Sequence, residues 1–247
     1  FGHLQPYFEL TPWLLMVLIP AIAMRSLSQE MQQGRIDLLL MSPLSEWQLI
    51  LGKYLSMVGL ITIAFLPSLI YILTIYQTSN VPEYVDTGSM LSGYLGLLVL
   101  ALTFAALSLF ASSSTDKPII AFILGALLCG LGYQGLAAIG LGELQFKYVL
   151  ESLNRGVIPT KTLVYFILIA ALFLHLSLIM VRQLKSVKIT FRPFVKVVMA
   201  YLILISLSIL IKGRTDFTDD RRYTLSDASI KVIEKVDQNV VIDIFLE

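Results

Sequence analysis

Charge is scarce in this chain: 14% of its 247 residues are charged and 57% are hydrophobic, whereas soluble domains carry about a quarter charged residues and about half apolar ones. A water-soluble globule is thereby disfavoured and a bilayer becomes the expected solvent. Cysteine is almost absent. The single one, Cys129, rules out an internal disulfide and any thiolate metal cluster. It lies inside the apolar run Leu-Leu-Cys-Gly-Leu-Gly-Tyr, where desolvation disfavours a thiolate, so it reads as a small core residue. The signatures of common enzymes are missing as well. The one Gly-Lys pair, Gly52-Lys53, has neither the upstream glycine nor the following Ser or Thr of a phosphate-binding loop. No Gly-x-Ser-x-Gly elbow and no His-Glu-x-x-His helix occurs. A net charge of +1 offers no basic face of the kind that contacts several phosphates, which argues against nucleic acid as a partner.

What the chain has is long apolar runs. A membrane-crossing helix needs about 20 mostly apolar residues, and such runs stand at Leu10–Met24, Tyr54–Tyr76, Met90–Ser113, Pro118–Gly142, Thr162–Val181 and Phe194–Ile211. The first is short and requires Gln5–Glu9 or a tilt to span. With no initiator Met and no signal-peptide cleavage pattern, the chain reads as a fragment of a longer one. Asp, Glu, Lys and Arg are missing from the interiors of these runs, which argues against the buried proton or sodium relays of ion-coupled transporters. Gln134 and His175 are the polar exceptions; a lone histidine on an apolar helix reads first as a packed core residue. Gly125, Gly130, Gly132, Gly135, Gly140 and Gly142 give the fourth run small surfaces for helix packing. Pro67 predicts a kink in the second.

The distribution of Lys and Arg sets an orientation. If residues 1–9 lie outside, the inner loops carry Arg25, Arg35, Lys53, Lys117, Arg182, Lys185, Lys188, Arg192 and Lys196, and the short outer loops only Lys147, Arg155 and Lys161. Residues 25–53 and 182–196 are therefore expected in the cytoplasm and residues 212–247 outside.

The segment between the first two runs, Glu30 to Lys53, is polar and punctuated. Arg25 to Gln33 predicts a short amphipathic helix with Leu27 and Met31 on one side. Gly34 is its stop. Ile36 to Met41 forms a second apolar element that Pro43 ends. Ser45 then caps the next helix, with Gln48 three positions on to complete a capping box. Taken alone, this surface hairpin fits an interfacial connection as well as a docking element.

The pattern Glu30-x-x-x-Gly34-x-Ile36-Asp37-x-Leu39-Leu40-x-x-Pro43-x-Ser45, followed by Trp47 and Leu51-Gly52-Lys53, resembles the cytoplasmic loop of the type-2 family of ATP-binding cassette (ABC) transporter permeases. Arg35 stands where that family usually has Thr, and Asp37 where it has Glu. The resemblance implies an all-α polytopic membrane helix bundle with no cofactor or catalytic residue of its own. ATP would be bound by a separate ATPase subunit, and the permease would be a dimer or heterodimer in the bacterial inner membrane. It implies that the hairpin 25–47 couples to the ATPase through Glu30, Gly34, Arg35, Asp37, Leu39 and Pro43. Since the loop here follows the first run, one span is expected to be missing from the start of residues 1–181.

Leu153 to Ile158 and Ser45 to Gln48 further resemble the permease of the bacterial gliding-motility ABC system, and Asp216 to Ser226 is similar to the opening of that system's auxiliary, substrate-binding-like subunit. This implies a fusion, with 182–196 as linker, 194–211 as an additional span and 212–247 as the start of the auxiliary domain. Independently, Ser226 caps a predicted helix over Asp227 to Val236 and Val240 to Leu246 alternates as a strand. The C terminus is therefore expected to begin a truncated α/β extracytoplasmic domain. The rival from another class is a structural anchor for an extracytoplasmic domain of a motility or envelope assembly. A membrane-embedded enzyme is weaker, because Glu143, Glu151 and Arg155 share an outer loop that solvation explains.

Overall fold

A computed structural model describes residues 5–78, 87–140, 144–154, 156–184, 192–208 and 214–216. The architecture is an all-α membrane bundle arranged around one central helix. That helix is α6 (Thr87–Ser113), whose small residues let neighbours approach in a medium where no hydrophobic drive brings helices together. Where Gly93 stands, a Cβ would lie 2.6 Å from the ring of Phe8 on α1 (Gln5–Ala23). Leu97, Leu100, Phe104 and Leu109 of α6 are fully buried. Around it stand α1, α4 (Glu46–Phe65), α7 (Pro118–Tyr133) and α9 (Thr160–Leu184).

Four helical stretches among the described residues are long and apolar enough to cross a membrane: Pro6–Gln32, Glu46–Ile72, Gly88–Ser113 and Thr160–Leu184. In the first, α1 itself covers 19 residues by taking in Gln5–Glu9 before Leu10, as the short run required, and the rest of the stretch is the turn and short helix that follow it. The second breaks at Pro67 into the 3-10 turn Leu66–Leu69 before α5 (Ile70–Thr78), the expected kink. Its carbonyls find new donors. Ser68 Oγ donates to Phe65 O at 2.7 Å and Tyr94 Oη from α6 donates to Ser68 O at 2.7 Å, as helix breaks in lipid demand.

The fourth expected run, Pro118–Gly142, is corrected. Its α-helix stops at Tyr133 after 16 residues, about 24 Å against a hydrocarbon core of about 30 Å. A 3-10 turn over Gly135–Ile139 follows, closed by Gly140 at φ +77°. Hydropathy continues through this stretch, but its glycines lack helix propensity. The chain then re-enters the bundle's edge as the short amphipathic α8 (Phe146–Asn154), which buries Phe146, Leu150 and Leu153 and leaves Tyr148 exposed.

After β1 (Val157–Pro159) and α9, the additional helix α10 (Arg192–Ser208) packs against α9, and β2 (Arg214–Asp216) pairs antiparallel with β1, Ile158 opposite Thr215. The strand pair ties the end of α10 to the beginning of α9. The predicted tail helix at 227–236 and strand at 240–246 lie outside the described residues, as do 185–191 of the linker and 209–211 of the last run.

Candidate functional site: a hairpin at one end of the bundle

After α1 the chain turns over Met24–Leu27 and forms α2 (Ser28–Gln32). The predicted amphipathic helix therefore starts later than Arg25, but its sidedness holds: Leu27 is buried and Met31 packs on the main core. The turn is held from α6. Ser112 Oγ accepts the backbone N–H groups of Leu27 and Ser28, both at 3.1 Å, and the Ser28 hydroxyl donates to the Met24 carbonyl. Two amides otherwise left open by the broken helix are thus satisfied inside the bundle.

Gly34 ends α2 with φ +67°, ψ 7°, in the left-handed region that an L side chain resists. A Cβ there would meet nothing within 4 Å, so the requirement for glycine is the backbone angle alone. Next comes α3 (Arg35–Met41), buried on one side through Ile36, with Leu39 partly buried against the same core. The other side is open. Leu38 is 70% exposed and Met41 83%, with Leu44 exposed just beyond. Ser42 closes the helix, its Oγ donating to Leu39 O at 2.6 Å, and Pro43 leads to the cap of α4. There the expected capping box is present: Ser45 Oγ accepts the Gln48 N–H at 3.3 Å and Gln48 Oε1 accepts the Ser45 N–H at 2.9 Å.

The expected site residues are therefore gathered in one hairpin but face different ways. Gly34, Arg35 and Pro43 are exposed. Leu39 faces inward, beside the outward Leu38. For Asp37 only its place in the first turn of α3 is described. Glu30 is four-fifths buried and its Oε1 lies 2.6 Å from Lys53 Nζ on α4, which also donates to the Ser26 carbonyl at 2.8 Å. From the sequence Lys53 reads as a topology charge and as part of the Leu51-Gly52-Lys53 entry to the next run, not as a partner of Glu30. Its only signal as Glu30's partner was opposite charge on the far arm of the hairpin.

The other polar candidates are placed elsewhere. Cys129 is fully buried, 3.7 Å from Ser108 Oγ, as a core residue. Gln134 is exposed at the end of α7. His175 on α9 stands between the rings of Trp47, 6.0 Å away, and Tyr201 of α10, 6.2 Å away. No group of three or more His, Cys, Asp or Glu suited to a metal ion occurs among the described residues.

A multi-pass helical bundle with a structured hairpin at one end defines a polytopic membrane protein. The sequence profile described as ABC-2 family transporter protein matches residues 5–154, more than half of the chain, and the chain belongs to that family. It is accordingly a membrane permease subunit of an ABC transporter, whose ATPase is a separate subunit. No curated protein and no solved structure matches the chain.

Proposed function

We propose that the hairpin 25–47 is the surface on which the ATPase subunit docks, and that ATP-driven closure of the ATPase pushes it to switch the bundle between two packings. The observation that carries this reading is the outward face of α3. Leu38, Met41 and Leu44 stand exposed beside the exposed Arg35, on a hairpin whose inner side packs on the bundle. Exposed apolar residues clustered on a rigid element mark an interaction surface. Arg35 supplies a cation at the turn, Gly34 and Pro43 fix the path, and Asp37 and Leu39 complete the element. Glu30 serves from inside the hairpin. The nucleotide chemistry belongs to the partner, and this chain converts docking energy into helix movement.

The bias of Lys and Arg supports an inner-membrane orientation with the hairpin in the cytoplasm. The likeness of Leu153 to Ile158 and of Asp216 to Ser226 to the gliding-motility system supports a role in that system, with residues 212–247 as the periplasmic start of an auxiliary domain and the permease acting as a dimer or heterodimer. The test uses the complete parent chain in mild detergent. An ATPase subunit with a Walker-type nucleotide site, identified by mass spectrometry, is expected to co-purify, and Met41→Glu or Gly34→Pro to release it. Full retention in both variants, or no such ATPase, would remove the docking reading and leave an anchoring role in front.

A further inference from the structure

We propose that Lys53 is a positioning residue that fastens the docking hairpin to α4, so that displacement of the hairpin is passed to that helix. The inference rests on the docking reading for its consequence but not for its geometry. Lys53 sits two turns into α4, and its ammonium reaches back to two groups. One is Glu30 Oε1 at 2.6 Å, in the middle of α2; the other is the Ser26 carbonyl at 2.8 Å, in the turn between α1 and α2. Both charged side chains are about four-fifths buried, at 19% and 20% exposure. A lysine at that depth is costly unless it is paired, and a buried carboxylate is costly unless its oxygens are engaged. Glu30 Oε2 is buried and has no hydrogen-bond partner among the described residues. The carboxylate thus leans on Lys53, and each residue is in place because of the other.

The hairpin is therefore tied at two points to two different helices. Ser112 holds the start of α2 to α6, and Lys53 holds its middle to α4. These helices differ in how firmly they are seated: 72% of the apolar window of α6 is buried inside the bundle, against 11% for α4. A push on α3 that turns the hairpin about the Ser112 contact will move the loosely held α4 before the central α6. The ion pair is the link that carries that movement.

The experiment takes the full chain in lipid nanodiscs with Cys129→Ser, and spin labels at Gln33→Cys on the hairpin and Asp116→Cys beyond the end of α6, both exposed positions. Double electron–electron resonance is expected to give one narrow distance distribution in the parent. Lys53→Met should broaden it, and Lys53→Arg, which keeps the charge and its donors, should narrow it again. If Lys53→Met fails to fold, Glu30→Gln/Lys53→Met is read in its place, since it leaves no uncompensated buried charge. A distribution unchanged in the Met variants, or one left broad in the Arg variant, overturns the proposal. The second readout is affinity for the ATPase subunit, expected to fall roughly tenfold in the Met variant and to recover in the Arg variant. Broadening without loss of affinity would sink the docking reading while the fastening of the hairpin to α4 stands.

Discussion

At the residue scale, the parts of the hairpin that were legible in the sequence are those governed by local backbone rules. Gly34 stops a helix, Pro43 ends the next, and Ser45 with Gln48 caps the third, because each depends only on residues within four positions. The phase of α3 was not legible. Leu38-Leu39-Leu40 presents three equivalent leucines, and only packing on the bundle decides that Leu39 faces in and Leu38 out. The Lys53–Glu30 pair spans the whole hairpin, so neither residue names its partner. Gly34 gives the sharpest residue-level prediction. Since a Cβ there meets nothing, Gly34→Ala should cost about 1 kcal/mol through the left-handed angle alone. Gly34→Asn, better tolerated in that region, should cost less. Titrating the ATPase subunit onto nanodisc-held variants separates the two; equal losses would mean that side-chain space, not backbone angle, is what the position protects.

At the scale of elements, hydropathy located the helices but overestimated α7. Apolar character runs from Pro118 to Gly142 with Gln134 as its one strongly polar residue, yet hydropathy reports only the solvent a segment prefers, and helix formation also requires residues that hold helical angles. Gly135 and Gly140 fall beyond the end of the α-helix, Gly140 at φ +77°, while Gly132, still inside α7, serves a different end. Gly132 lets α7 approach α8 so closely that a Cβ would lie 2.5 Å from Phe146 Cε2. Gly59, on the exposed side of α4, has nothing within 4 Å. The two positions should therefore respond in opposite ways. Gly132→Leu should overpack the α7–α8 contact at a cost of about 1–3 kcal/mol, lowering the midpoint of thermal unfolding in detergent, and Phe146→Ala in the same chain should restore part of it. Gly59→Ala should be neutral, or stabilising by about 0.5 kcal/mol as a helix-interior glycine is relieved. A gain at Gly132 like that expected at Gly59 would mean that the α7 glycine acts through propensity and not through close approach.

At the scale of the whole molecule, the two ends of α6 carry different machinery. Ser112 receives the hairpin, whereas Ser92, near the other end, donates its hydroxyl to the Leu153 carbonyl of α8 at 2.7 Å. At 1.5 Å per residue these serines stand about 30 Å apart along the helix, the thickness of a hydrocarbon core. The hairpin and the α8–β1 segment thus lie at opposite ends of the bundle. The β1–β2 pair extends that argument past α10. Although α10 has only 17 residues, the strand that follows it pairs with the strand that precedes α9, so α9 and α10 run antiparallel and Arg214–Asp216 returns to the α8 face. Charge bias predicts which end faces the cytoplasm from loop composition, whereas the long-range pairing that brings residues 214–216 to the β1 end was invisible, since three-residue strands carry almost no periodic signal. Cysteine labelling in intact cells tests it. With Cys129 buried and unreactive, a membrane-impermeant maleimide should label Lys161→Cys and Thr215→Cys from outside, and Gln33→Cys and Asp116→Cys only after permeabilisation. Labelling of Thr215→Cys under the same conditions as Gln33→Cys, and not with Lys161→Cys, would mean that α10 does not cross, and the β1–β2 pair would then have to be given up along with the proposed extracytoplasmic placement of everything beyond it.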